Sequence, residues 1–268
     1  MKIRFLGQSG YILKSGNTEI IIDPYLSDSV NRVAGRPRTL PIPINPEDIS
    51  CDAVICTHNH LDHLDPDTVV KINENQFYIT TNEGKAELLR LGRTNVKALN
   101  TGDSVTVGDF NITAVFADHT VEAFGLIVRA EGKTLYFSGD TLFNEKLFGI
   151  AEYKPDYTFI CINGRLGNMN VKEALITAEK IGAAVNIPNH YDMFESNSEN
   201  PTLFTENIKG GKTLEFNKEY EGTYHATLTQ IARSGDAGGY DDKVNAAITN
   251  GGLPDVFTVD GVAVAQYA

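Results

Sequence analysis

The chain has 268 residues, 41% of them hydrophobic and 22% charged, with 24 Gly and 10 Pro. That length suits one large α/β domain as well as two small ones, and the composition excludes a disordered, collagenous or coiled-coil chain. A formal net charge of −12 excludes bulk attraction to nucleic acid or anionic lipid, so an anionic small-molecule substrate needs a local cationic grip. Cys51, Cys56 and Cys161 show neither zinc-ribbon nor disulfide spacing. The first residues alternate like a strand, without the apolar core of a signal peptide, and no run approaches the ~18 apolar residues of a membrane span. The expectation is a cytoplasmic protein with neither nucleic acid nor membrane as partner; a homo-oligomer is left open.

Short strands are expected at residues 2–6, 11–14 and 19–23, separated by the turn sequences G-Q-S-G and S-G-N. From Leu26 to Pro46 the pattern dissolves into a polar stretch carrying Arg32, Arg36 and Arg38, long enough to suggest a functional loop. A buried strand follows at residues 52–57, then a short helix at Pro66 capped by Asp65. Extended segments at 77–81, 110–116, 124–129, 134–138, 157–162 and 184–188 are interleaved with helices at 84–91 and 171–181. The second helix is the clearest, with Asn170 and Glu173 forming a capping box and Gly182 closing it. Meanders interleaved with helices imply two packed sheets with helices outside. Residues 1–225 form the expected domain. Residues 226–268, with no Lys or Arg after Lys243, form a C-terminal extension whose origin the sequence leaves open.

Three of the six histidines fall in T-H-N-H-L-D-H, directly after a predicted strand. Alternation at a strand end would let His58 and His60 converge on one ion, and the next turn could bring Asp62 and His63 to a second. Imidazoles with a carboxylate are the ligands of a divalent transition metal. His119, Asp140 in F-S-G-D-T, and His190 each end a predicted strand and would complete such a site; His225 reads as structural.

The ordered set H-x-H-x-D-H, a distant His, an Asp in a G-D-T turn and a final His resembles the metallo-β-lactamase superfamily over roughly residues 1–225. The resemblance implies an α/β (α+β) fold, the four-layer αββα sandwich, with two divalent metal ions, Mn or Zn. His58, His60 and His119 would hold one, Asp62, His63 and His190 the other, with Asp140 bridging. G-Q-S-G-Y, I-I-I-D-P-Y-L, I-N-G-R-L-G-N-M-N and I-P-N-H-Y-D-M-F are similar to the branch of L-ascorbate-6-phosphate lactonase. That implies hydrolysis of a sugar-phosphate lactone by a water acidified between the metals, with Asp62 and Asp140 catalytic and Asp62 either a pure ligand or a proton shuttle.

A phosphate grip would come from Arg165, Arg36 or Arg38, with Asn163 and Asn168 as added donors and Tyr191 and Asp192 as pocket residues. The alternatives are another ester or phosphodiester as substrate and, in a different class, a non-catalytic metal-binding sensor. A flavodiiron protein would usually carry Glu at the position of His60.

Overall fold

The computed structural model describes residues 1–221. The first sheet contains β1 (Lys2–Gly7), β2 (Gly10–Ser15), β3 (Thr18–Ile22), β4 (Ala53–Ile55), β5 (Tyr78–Thr80) and β6 (Val96–Ala98). Its first three strands form an antiparallel meander, and β3 to β6 run parallel. The second sheet contains β7 (Ser104–Val107), β8 (Phe110–Phe116), β9 (Phe124–Ala130), β10 (Lys133–Phe137), β11 (Tyr157–Cys161) and β12 (Val185–Asn189). It is antiparallel from β7 to β10 and parallel from β10 to β12. A last strand, β13 (Glu219–Glu221), extends the first sheet beside β1.

The main core lies between the sheets. Tyr11, Leu13, Ile20, Ile22, Ile55 and Ile79 from one face meet Phe110, Leu126, Val128, Phe137 and Phe159 from the other. The alternate residues Ile12, Ile21, Val54, Cys56 and Tyr78 point the other way, into a second cluster. There they meet Leu64, Val69 and Ile72 at α2 (Pro66–Val69) and Leu88 of α3 (Asn82–Arg90). Strands buried on both faces read as unbroken apolar runs, which is why I-I-I and A-V-I-C show no alternation. The helix α4 (Val171–Ile181) packs against β11 through Ala174, Ala178 and Ile181, with the expected capping box and a left-handed Gly182. Two sheets with helices outside match the expected α/β sandwich.

Several elements were not anticipated. The polar loop after β3 contains a short helix, α1 (Ser29–Ala34), closed by a left-handed Gly35, and β6 and β7 are short edge strands with few fully buried positions. A long 3-10 stretch occupies Glu145–Tyr153, and α5 is a single turn at Thr202–Thr205. The expected domain boundary at 225/226, the extension and His225 lie outside the described residues. Among the described residues, no helix is long and apolar enough to cross a membrane.

Candidate metal centre

The site gathers on loops that leave the ends of strands from both sheets. β4 ends at Ile55, so His58 and His60 lie beyond it, and strand alternation is not what brings them together. A tight turn follows His60, whose carbonyl accepts from the amides of His63 and Leu64, and it carries Asp62 and His63 round. His58 Nε2 lies 3.0 Å from His60 Nδ1, and His119 Nε2 lies 3.1 Å from that same atom. Opposite nitrogens of the two nearby rings thus face one point. Asp140 Oδ2 completes this set at 4.0 Å from His58 Nε2 and 3.9 Å from His119 Nε2.

Asp62, His63 and His190 form the second set. Asp62 Oδ2 is 3.8 Å from His63 Nε2 and 3.4 Å from His190 Nε2. The Asp140 carboxylate reaches this set too, with Oδ1 3.2 Å from His63 Nε2 and Oδ2 3.3 Å from His190 Nε2. It therefore lies against both sets.

The donors fit divalent cations. Within each set the ligand atoms lie within 4.8 Å of one another, and bonds of about 2.0–2.1 Å around a tetrahedral ion require edges of roughly 3.3 Å. His63 Nε2 and Asp140 Oδ1 are buried and lack any hydrogen-bond partner, a state that a cation between them would relieve.

Neighbouring groups fix which nitrogen each ring presents. His119 Nδ1 lies 3.0 Å from the Gly167 carbonyl and must donate to it, leaving the Nε2 lone pair turned inward. His63 Nδ1 donates to Asp23 Oδ2 at 2.8 Å, freeing its Nε2. Asp23 also accepts from the Thr57 amide at 2.7 Å and the Thr57 hydroxyl at 2.8 Å. Asp23 as an orienting residue was missed in the sequence; its trace is the acidic residue that ends I-I-I-D-P.

Gly167 matters through space as well as torsion. Its φ is +92°, and a Cβ there would sit 2.8 Å from His119 Nδ1. Gly167→Ala is expected to push the His119 ring aside and weaken cation binding by about 10–100-fold, as for loss of an outer-sphere partner. Metal titration of the folded variant checks this; wild-type affinity would show that the ring tolerates the contact.

The two sets differ in charge before any cation arrives. Burial, aided by the neighbouring histidines, holds His58 well below the usual imidazole range, and burial with His119 lowers His60. Burial also opposes charge on His63 and His190. The carboxylates of Asp140, Asp23 and Asp62 outweigh it at His63, which rises well above its usual value, and Asp140 with Asp62 pushes His190 up to about 9. Conversely, burial would raise the Asp62 and Asp140 carboxyls, but His63 and His190 hold both well below the usual range. A ligating imidazole must be neutral, so a cation entering the second set expels protons. Affinity there is expected to rise with pH up to about 9, approaching tenfold per unit for each proton displaced. Calorimetry in buffers of differing ionisation enthalpy reads the released protons directly; none at pH 7.5 would show that the histidines are already neutral.

Above the donors lies a cleft of about 440 Å³. Val30, Ala34, Leu61 and Leu166 give it an apolar wall, and Arg36 is its single Arg or Lys among the described residues. Asn168 also lines it, and neither polar atom of its buried amide has a partner. The other candidate binding residues are placed elsewhere. Arg38 lies over the Tyr25 ring and donates to the Leu40 and Ser27 carbonyls, so it braces its own loop and does not line the cleft. Arg165 donates to the Ser196 carbonyl, and Asn163 to Asn197, which does line the cleft. Tyr191 is buried against Phe5 with its hydroxyl donating to the Leu214 carbonyl, so it packs in the core and does not face the cleft. Asp192 is exposed, its backbone amide bonded to Ser198.

Residues 18–191 match the β-lactamase superfamily domain, and the chain belongs to that superfamily. Its curated relatives include proteins named UPF0173 metal-dependent hydrolase. That of Saccharolobus solfataricus is 31% identical over 206 residues, covering 72% of this chain and 86% of its own length. That of Methanosphaera stadtmanae is 30% identical over 226 residues, covering 78% and 92%. Solved structures share the fold. Igni18, a metallo hydrolase from Ignicoccus hospitalis, superposes with a TM-score of 0.67 at 23% identity, covering 83% of this chain and 99% of that one. A possible metal-dependent hydrolase from Veillonella parvula gives 0.70 at 19% identity, covering 82% and 98%.

Proposed function

We propose that the protein is a metal-dependent hydrolase that opens a compact ester, of the lactone type, on a small anionic molecule. The observation that supports this most is the convergence of seven His and Asp donors, in two touching sets, beneath a cleft that Arg36 borders. Divalent cations held there would supply an acidified water at neutral pH and polarisation of an ester carbonyl. His58, His60 and His119 would hold one, Asp62, His63 and His190 the other, with Asp140 shared.

The remaining steps belong to the chain's own groups. Among the described residues the Arg36 guanidinium makes no hydrogen bond or ion pair, so its donors are available to a carboxylate or phosphate. Asn168 offers both a donor and an acceptor to the substrate's polar edge. The apolar wall packs against the substrate body and excludes water, which strengthens both contacts. Asp62 is held anionic by His63 and His190, which favours a ligand or orienting role over that of a proton carrier.

The test is loss of ultraviolet absorbance from L-ascorbate 6-phosphate on protein reconstituted with Mn²⁺ or Zn²⁺, with ring opening verified by product analysis. Turnover abolished by a chelator is expected. Arg36→Gln should raise KM by about 10–100-fold with kcat little changed, the size of one charge-assisted contact. No turnover with metal bound would remove the lactone reading, and an unchanged KM would remove Arg36 from recognition.

A further inference from the structure

The side chain of Gln8 is not used by the seven-donor set, yet it sits inside it. Gln8 lies in the turn between β1 and β2, is fully buried, and holds φ at 56°, a costly backbone for a residue with a Cβ. His190 is also left-handed, at φ 61°, and its amide donates to the Gln8 carbonyl at 3.0 Å. This contact ties the two strained residues together and delivers the Gln8 side chain to the donors. Gln8 Nε2 lies 2.7 Å from Asp62 Oδ2 and 3.1 Å from His190 Nε2, two of the three donor atoms of the second set. Gln8 Oε1 is buried with no partner at all.

Resting on the metal-dependent reading above, we infer that Gln8 is a further member of the Asp62–His63–His190 set and supplies an oxygen ligand to its cation. Without a cation, the amide N–H donates to Asp62 Oδ2. With a cation between those atoms, an N–H aimed at the same point meets like charge. A half-turn about the terminal torsion of Gln8 exchanges the amide ends and brings Oε1 to that point. An amide oxygen facing the Asp62 carboxylate oxygen is unfavourable unless a cation lies between them, and amide oxygen suits Mn²⁺ and Zn²⁺ alike. The orphaned oxygen thereby gains the partner it lacks, and the amide reverses between the metal-free and loaded states.

The experiment is calorimetric titration of Mn²⁺, and separately Zn²⁺, into metal-free wild type, Gln8→Leu and Gln8→Glu. Wild type is expected to show two binding events, the second set identified as the event lost in His63→Ala. Gln8→Leu should keep the event at His58, His60 and His119, which reports a folded site, and weaken the event at the second set by at least about tenfold. Gln8→Glu, which keeps an oxygen there, should restore that event or tighten it. Two wild-type events in Gln8→Leu, or a tighter second event, would overturn the inference while leaving the metal-dependent reading intact. Absence of any cation binding by wild type would overturn both. If Gln8→Leu does not fold, Gln8→Glu decides, and a weaker second event there overturns the inference.

Discussion

Replacing Asp140 with alanine is expected to abolish hydrolysis and lower the metal bound per chain. Its carboxylate lies within 4.0 Å of inward-facing ring nitrogens in both sets. Losing it should therefore cost well beyond the ~10–100-fold typical of an outer-sphere partner. It is also the largest attractive influence keeping His190 and His63 protonated, so both imidazoles should titrate at lower pH in the variant. Asp140→Asn separates charge from shape: it keeps the volume but donates N–H toward one set, so it too should lose metal and activity. Elemental analysis of the purified variants, NMR titration of the histidines and the hydrolysis assay check this. Wild-type activity in either variant would remove the seven-donor site from the reaction.

What the sequence discloses here depends on how local each interaction is. T-H-N-H-L-D-H places four donors within six positions, so composition and spacing alone mark it. Asp140 and His190 are single residues at strand ends and gain meaning only together with it. The capped helix at 171–181 was legible to its exact ends because its cap, periodicity and terminal glycine are all encoded within a dozen residues. The helix α1 was not, because six residues in a polar loop carry too little periodicity to stand out.

Long-range partners leave even less trace. Gly167 reads as a turn glycine, and only the fold shows His119 against its α-carbon. Gln8 reads as hairpin chemistry, although it touches Asp62 and His190, 54 and 182 positions away. Arg36 and Arg38 are equivalent in the sequence. Their difference arises because Arg38 meets Tyr25 and nearby loop carbonyls, whereas Arg36 borders the cleft. Charge patterning identifies the loop as cationic but cannot decide which guanidinium is already committed.

The second large effect is expected at Asp23, which does not line the cleft above the donors and reaches them chiefly through His63. Its two oxygens accept three hydrogen bonds, from the Thr57 amide, the Thr57 hydroxyl and His63 Nδ1, all buried. Asp23→Ala leaves those donors unsatisfied and one partner of a buried His–Asp pair alone, which should cost about 3–5 kcal/mol of stability. Chemical denaturation of the metal-free protein reads that loss. Asp23→Asn is the sharper variant, because it preserves shape and an acceptor for Thr57. Its amide N–H, turned toward His63 Nδ1, favours the tautomer that carries the proton on Nε2, the atom facing Asp62 and Asp140. That variant should fold with most of its stability and yet bind a cation at the Asp62–His63–His190 set about 10–100-fold more weakly, leaving the His58–His60–His119 set intact. Equal metal affinity in Asp23→Asn would show that His63 is held by packing alone. A split between retained stability and lost affinity would assign Asp23 the positioning of the ring.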